Sequence, residues 1–393
     1  MSGVCFIRET GKHSIGLGRV CFTAALLVMT LLLIFSCTTA QTAAQAAPDS
    51  FDDVAREAAA ARERKDVAGA NELYGRAVGL KPEWPDGWWF LGMLQYGAGD
   101  YANARDALNH YIALMPQAGP ALAVRGLCEF ETADYRQSLL DIQKGLELGA
   151  ANQSENEGAL RYHLALLLTL NGYFEDALGE YGFFVRSKIA APEIFMGIGL
   201  AGLRIPVLPK DLKADLQAAP LAAGTAGFHA MAGDTEVAQR EFQEVFRRFP
   251  AAANTHYFWG YLLFVKDPER AAVEFRRELE VAPGNEPAEV MLAWSLLLRN
   301  SFAEALPYAE KAAATAPDSS TAQLVLGRAL VGTGAVSEGL RHLEAALKLD
   351  PENIEIHVAL VGVYSRLGRK EDARRERLLC LERTKNEAPF ARP

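Results

Sequence analysis

Proline returns at a fixed step along this chain. Pro82 and Pro116 are 34 residues apart, as are Pro283, Pro317 and Pro351, with Pro250 one residue nearer than the step requires. A recurrence of this length is that of two short helices and their turns, and it confines the chain to an array whose units touch only their neighbours. Between Pro85 and Pro116 the unit reads Trp88-x-x-Leu91-Gly92, then Gly99-Asp100-Tyr101, then Ala104. Trp88 and Leu91 share one helix face, Gly92 admits a neighbouring helix, and small Ala104 stands where the second helix crosses the first.

The same slots recur in phase. Gly126 with Asp134-Tyr135 marks one unit, and Leu164-Ala165 with Gly172, Ala177 and Tyr181 marks another. Trp259-Gly260 with Phe275, Leu292-Ala293 with Ala305, Leu326-Gly327 with Gly334, and Leu360 with Gly368 and Ala373 mark four more. This pattern resembles the tetratricopeptide repeat, over roughly residues 51 to 385. The resemblance implies an all-α superhelix of about nine to ten helix-turn-helix units. No alternation of period two is long enough to propose a sheet.

One break interrupts the phase. Pro192 to Arg204 reads as a first helix, but Ile205-Pro206-Val207-Leu208-Pro209 cannot continue as a second, because each proline lacks an amide donor and pushes its predecessor towards extended geometry. The expected organisation is a repeat group at 51–204, an irregular connector at 205–218 and a second group at 219–385, followed by a tail at 386–393. The connector is expected to divide the array, either as a bridge between two stacks or as a functional clasp.

The first 37 residues stand apart. Arg8, Lys12 and Arg19 precede an apolar run from Val20 to Phe35, the order of an export signal. Ile34-Phe35-Ser36-Cys37 resembles a bacterial lipobox, which makes Cys37 the lipidation candidate. Cleavage after Ala43 or Ala46, or retention as a membrane anchor, are the alternatives, and all three place the repeats outside the cytoplasm. Residues 38–50 are small and polar and are expected to tether the body.

Charge excludes one class of partner. The formal net charge is −9, and removal of the signal with its three basic residues and Glu9 takes the body to about −11, from 37 basic and 48 acidic residues. Nucleic acid is not an expected partner, since Arg374-Arg375-Glu376-Arg377, the richest basic patch, alternates with acid. Cys128 and Cys380, in distant repeats, are expected as buried, unbridged hydrophobes.

Chemistry is not legible. The chain has no HExxH helix, no GxSxG elbow and no phosphate-binding loop, and its body histidines fall about one to a repeat. No catalytic residue, cofactor or metal is expected. A hydrolase built at the connector is the least favoured reading, because Lys210, Asp211, Lys213 and Asp215 come with no His, Ser or Cys.

The resemblance implies instead a groove lined by the first helix of each repeat. Carried onto this chain, its inner row holds Trp89, Met93, Tyr96, Leu127, Phe130, Tyr162, Tyr257, Tyr261, Phe264 and Trp294. Such a row suits a protein or extended peptide, because rigid rings bury much area at low entropic cost. The alternative for each ring is packing inside the superhelix. An interaction scaffold of the cell envelope is the leading expectation, and an accessory subunit of an envelope enzyme or polymer-export machine the second.

Overall fold

The computed structural model describes residues 50–153 and 157–386. The export segment with Cys37, the tether up to residue 49 and the tail from residue 387 lie outside the described residues. Four helix pairs come first: α1 (Phe51–Glu63) with α2 (Val67–Leu80), α3 (Pro85–Gly97) with α4 (Tyr101–Leu114), α5 (Gly119–Glu131) with α6 (Tyr135–Glu147), and α7 (Glu157–Leu170) with α8 (Phe174–Arg186). A single helix, α9 (Pro192–Gly202), follows. Five more pairs complete the array: α10 (Ala218–Ala232) with α11 (Thr235–Arg248), α12 (Thr255–Leu263) with α13 (Pro268–Val281), α14 (Glu286–Leu298) with α15 (Phe302–Thr315), α16 (Ser320–Thr333) with α17 (Val336–Leu349), and α18 (Ile354–Arg366) with α19 (Lys370–Asn386). Among the described residues there are nine hairpins, one lone helix and no strand.

Local chemistry sets the hairpin turns. A residue in the left-handed region ends the first helix, as Gly99 (φ 76°) and Gly233 (φ 91°) do, where glycine carries no Cβ penalty. The next residue caps the second helix: Asp66, Asp100 and Asp134 accept from the amides of Gly69, Asn103 and Gln137. At the close of α9 the same turn begins. Arg204 has φ 56°, and the Ile205 amide donates to the Leu200 carbonyl at 2.8 Å, as Asp100 donates to Gln95 at 2.9 Å. Pro206 and Pro209 then permit only short 3₁₀ turns, at Pro209–Asp211 and Ala214–Leu216.

The lone helix therefore packs on α10 without a partner between them. A Cβ at Gly199 would stand 1.8 Å from the Pro220 carbonyl oxygen, and one at Gly224 would stand 1.7 Å from that of Phe195. Only glycine fits either place. Leu208 of the connector is 1% exposed, and one hydrophobic cluster runs from Ala123 in α5 through Ile198, Leu208 and Ala223 to Leu330 in α16. This corrects the expectation that residues 205–218 divide the array, since the core is continuous across them. Smaller clusters lie at the ends, around Tyr74 in α2 and around Leu360 in α18.

Polar pairs tie several hairpins internally. His256 of α12 meets Glu274 of α13 at 2.7 Å, His357 of α18 meets Glu376 of α19 at 2.7 Å, and Arg161 of α7 meets Glu180 of α8 at 2.8 Å. Arg377 on α19 is exposed, Cys128 on α5 is buried and carries no disulfide, and Cys380, expected as buried, is half-buried. Burial pushes the Cys128 thiol up to about 12, so it packs as an inert hydrophobe.

Candidate binding surface

The inner row begins on α3. This helix meets α4 closely at Gly92, where a Cβ would stand 2.9 Å from Leu108. Trp89, Met93 and Tyr96 are each half-buried. Trp89 lies 5.5 Å from the ring of Tyr111, and Tyr96 lies 5.8 Å edge-on to Tyr101. Burial raises the Tyr96 phenol to about 12. Trp88, expected as seam, is half-buried too; its indole N–H donates to the Pro82 carbonyl at 2.8 Å and its ring stacks on His110 at 4.2 Å.

Towards the middle the row closes. Leu127 and Phe130 are 3% and 8% exposed, and Phe130 meets Tyr135 at 5.4 Å and His163 at 4.7 Å. The connector reaches this point: the Lys210 ammonium lies 5.8 Å over Phe130 and 5.7 Å over Tyr135. Tyr162 is half-buried against Phe184 at 6.4 Å, with its phenol raised to about 12 by burial. Tyr257 is 5% exposed. Leu127, Phe130 and Tyr257 are thus core residues, which corrects their expected place on an open row.

Tyr257 belongs to a latch that joins segments far apart in sequence. Its hydroxyl donates to Glu175 Oε1 at 3.0 Å, and burial, followed by the Glu175 charge, drives its pKa up. Arg204 pairs with Glu175 while its guanidinium lies 4.7 Å over Phe174 and 5.4 Å over Tyr257. Beside the latch is an open cavity of about 770 Å³, lined in part by Gly172, Arg204, Asn254, Asn285 and Glu286. Its amides are already engaged. Asn254 donates to the Leu203 carbonyl at 3.0 Å, Asn285 donates to Asn254 Oδ1 at 2.8 Å, and buried Glu278 accepts the Asn254 amide at 2.7 Å. Burial pushes the Glu286 carboxyl up, opposed by Arg204. The arrangement braces the phase break, with its donors spent inside the fold.

Beyond the latch the row opens again. Tyr261 and Phe264 are half-buried, Tyr261 lying 6.3 Å from Tyr257, and Val265 beside them is 77% exposed. Trp294 on α14 is half-buried with the Arg328 guanidinium 5.4 Å over its ring. The sequence reading ended the row at Trp294. It missed Arg328, although Arg328 stands one 34-residue step further on, and it missed Arg366 on α18. Among the described residues no group of three or more His, Cys, Asp or Glu could hold a metal ion, and no helix is long and apolar enough to cross a membrane.

Residues 55–121 and 290–354 match a tetratricopeptide-repeat family model, and residues 333–376 match a second one. Both matched stretches carry tetratricopeptide repeats. Matched segments lie in the first and last parts of the array, and the stretch between them, with α9 and the connector, is matched by neither. Among solved structures, MamA (residue 41 to the end) from Desulfovibrio magneticus RS-1 is 26% identical, with a TM-score of 0.39, over 43% of this chain and 96% of its own. YrrB, described as a TPR protein with an unusual peptide-binding site, is 20% identical with a TM-score of 0.36, over 42% of this chain and 87% of its own. No curated protein matches the chain. Repeats and helix pairs together make the fold an α-α superhelix.

Proposed function

We propose that this chain is a non-enzymatic interaction scaffold of the bacterial cell envelope, binding a protein or an extended peptide on the inner row of its repeats. The observation that carries the reading is the set of half-buried rings at repeat-equivalent places, Trp89 and Tyr96 on α3, Tyr261 on α12 with Phe264 at its end, and Trp294 on α14. Rings held on rigid helices with one face open are suited to anchor a partner. Envelope location rests on the basic flank, apolar run and Cys37 of the N-terminus, with a lipid on Cys37 as the membrane tie.

Capture from envelope extracts tests the binding. Trp89→Ala is expected to reduce recovery of the partner severalfold while lowering the melting midpoint by no more than a few degrees. Unchanged recovery by both Trp89→Ala and Tyr261→Ala variants overturns the inner row as the binding face. Fatty-acid labelling tests the anchor: label that persists in Cys37→Ser, or never enters the parent, refutes lipidation there.

A further inference from the structure

We infer that the inner row is two separate sites, and that the C-terminal one takes an acidic peptide segment. This deepens the scaffold reading and rests on it. The separation comes from α9. On α10 the row positions are Pro220, Ala223 and Gly227, and all three are buried. Their counterparts on α3 are Asp86, Trp89 and Met93, of which Asp86 is exposed and the other two are half-buried. The chain's own α9 lies where a ligand would have to pass, with the Gly199 and Gly224 contacts leaving no gap to widen. A peptide laid along α3 cannot run on to α14.

The two open stretches differ in charge. The α3 surface bears Asp86 beside its rings. The C-terminal surface ends in a cavity of about 280 Å³ between α16 and α18, with an apolar wall that includes Val331 and Val358 and, at its charged edge, two guanidinium groups, Arg328 and Arg366, against one carboxylate, Glu355. Val358 is 54% exposed. Both guanidinium groups keep donors unspent by the fold, although Arg328 also lies 5.4 Å over the Trp294 ring. Arg328 makes no hydrogen bond to any described residue, and its nearest carboxylate, Glu355, is 3.9 Å away. Arg366 makes one long contact, 3.5 Å to the Val331 carbonyl.

Guanidinium groups lose less on desolvation than ammonium groups and match a carboxylate in two parallel hydrogen bonds. Placed beside an apolar cavity, two of them select a segment in which Asp or Glu alternates with apolar residues. The acid meets Arg328 and Arg366, and an apolar neighbour enters between Val331 and Val358. The occupant is a side-chain carboxylate of such a segment, supplied by a partner.

Three synthetic pentapeptides on the full chain test this, read by fluorescence anisotropy. The first is acetylated, amidated Leu-Glu-Leu-Glu-Leu, the second replaces both Glu by Gln, and the third is the Gln peptide with a free C-terminal carboxylate. The acidic peptide is expected to bind about tenfold more tightly than the amidated Gln peptide, with a preference that shrinks as salt is raised. The double variant Arg328→Gln, Arg366→Gln should lose that preference with its melting midpoint unchanged. A photo-crosslinker on the acidic peptide should label α16 and α18 and leave α3 unlabelled. Equal binding of acidic and Gln peptides, binding of neither, or labelling of α3 overturns the proposal, and free-acid binding equal to the acidic peptide assigns the subsite to a chain terminus instead. If the acidic preference fails while extract capture still depends on Trp89 and Tyr261, the scaffold reading stands and this one falls.

Discussion

Helix backbones meet more tightly in the middle of the array than in its flanks, where the nearest backbone atom to a Cβ would be 2.7 Å away at Gly119 of α5 and 2.6 Å away at Gly339 of α17. Between α9 and α10 the approach is backbone to backbone, through Gly199 on Pro220 and Gly224 on Phe195. In the flanking hairpins a side chain of the first helix reaches an acid on the second: Arg125 of α5 pairs with Asp141 of α6, and His256 of α12 with Glu274 of α13. The first kind of contact has no slack. The second can be re-paired or neutralised, and its cost depends on protonation.

The largest effect should follow from adding one methyl group in the middle. Gly224→Ala puts a carbon against a carbonyl oxygen of α9, and because the neighbour is backbone, α9 must move. Loss of about 3 kcal/mol or more is expected, seen as a fall in the urea midpoint. A change within error would mean that the seam is looser than described and that α9 can leave the inner row.

The flank should instead respond to pH. Burial, and then the neighbouring Asp141 charge, pushes the Glu129 carboxyl up to about 8, with Arg125 opposing. The folded state thus holds this proton more tightly than the unfolded chain, whose carboxyl titrates near 4.5. The group favours folding most below about pH 4.5, and that contribution is lost as pH rises to about 8. Glu129→Gln should be more stable than the parent at pH 8 and lose its advantage towards pH 5, in paired thermal melts. Parallel curves across that window would remove the protonation argument for the flank.

The smallest effect tests whether the middle is purely a matter of shape. Tyr181 on α8 is fully buried and its hydroxyl has no hydrogen-bond partner, while a Cβ on Gly197 of α9 would stand 2.1 Å from that oxygen. Removing an unpaired buried hydroxyl costs little, so Tyr181→Phe should be neutral or up to about 1 kcal/mol more stable. Destabilisation beyond that would show that the hydroxyl contributes a bond to the seam.

Much of the array was legible because its signals are local. The Gly-Asp turns, Ala104 at the crossing and the proline step each act within one hairpin, and each appears in the structure where the spacing put it. The break at Pro206 and Pro209 was legible for the same reason. Its consequence was not. That Leu208 enters a continuous core and that Lys210 reaches Phe130 depend on residues some 80 positions away in the chain. The row of candidate residues fared likewise: repeat register placed Trp89, Tyr261 and Trp294 on the first helices, but it could not tell that Tyr257 would be sealed by Glu175 and Arg204.

Sequence by itself determined that this protein is a chain of helix hairpins and where one hairpin fails, since helix caps, turn glycines and prolines act over a few residues. Tertiary structure alone decided which inner positions are open. A lone helix without its partner must bury its glycine face somewhere, and α10 is the surface that accepts it. The one groove implied by the repeats is thereby closed at its middle, because packing is a property of what lies across the contact rather than of the residue that makes it.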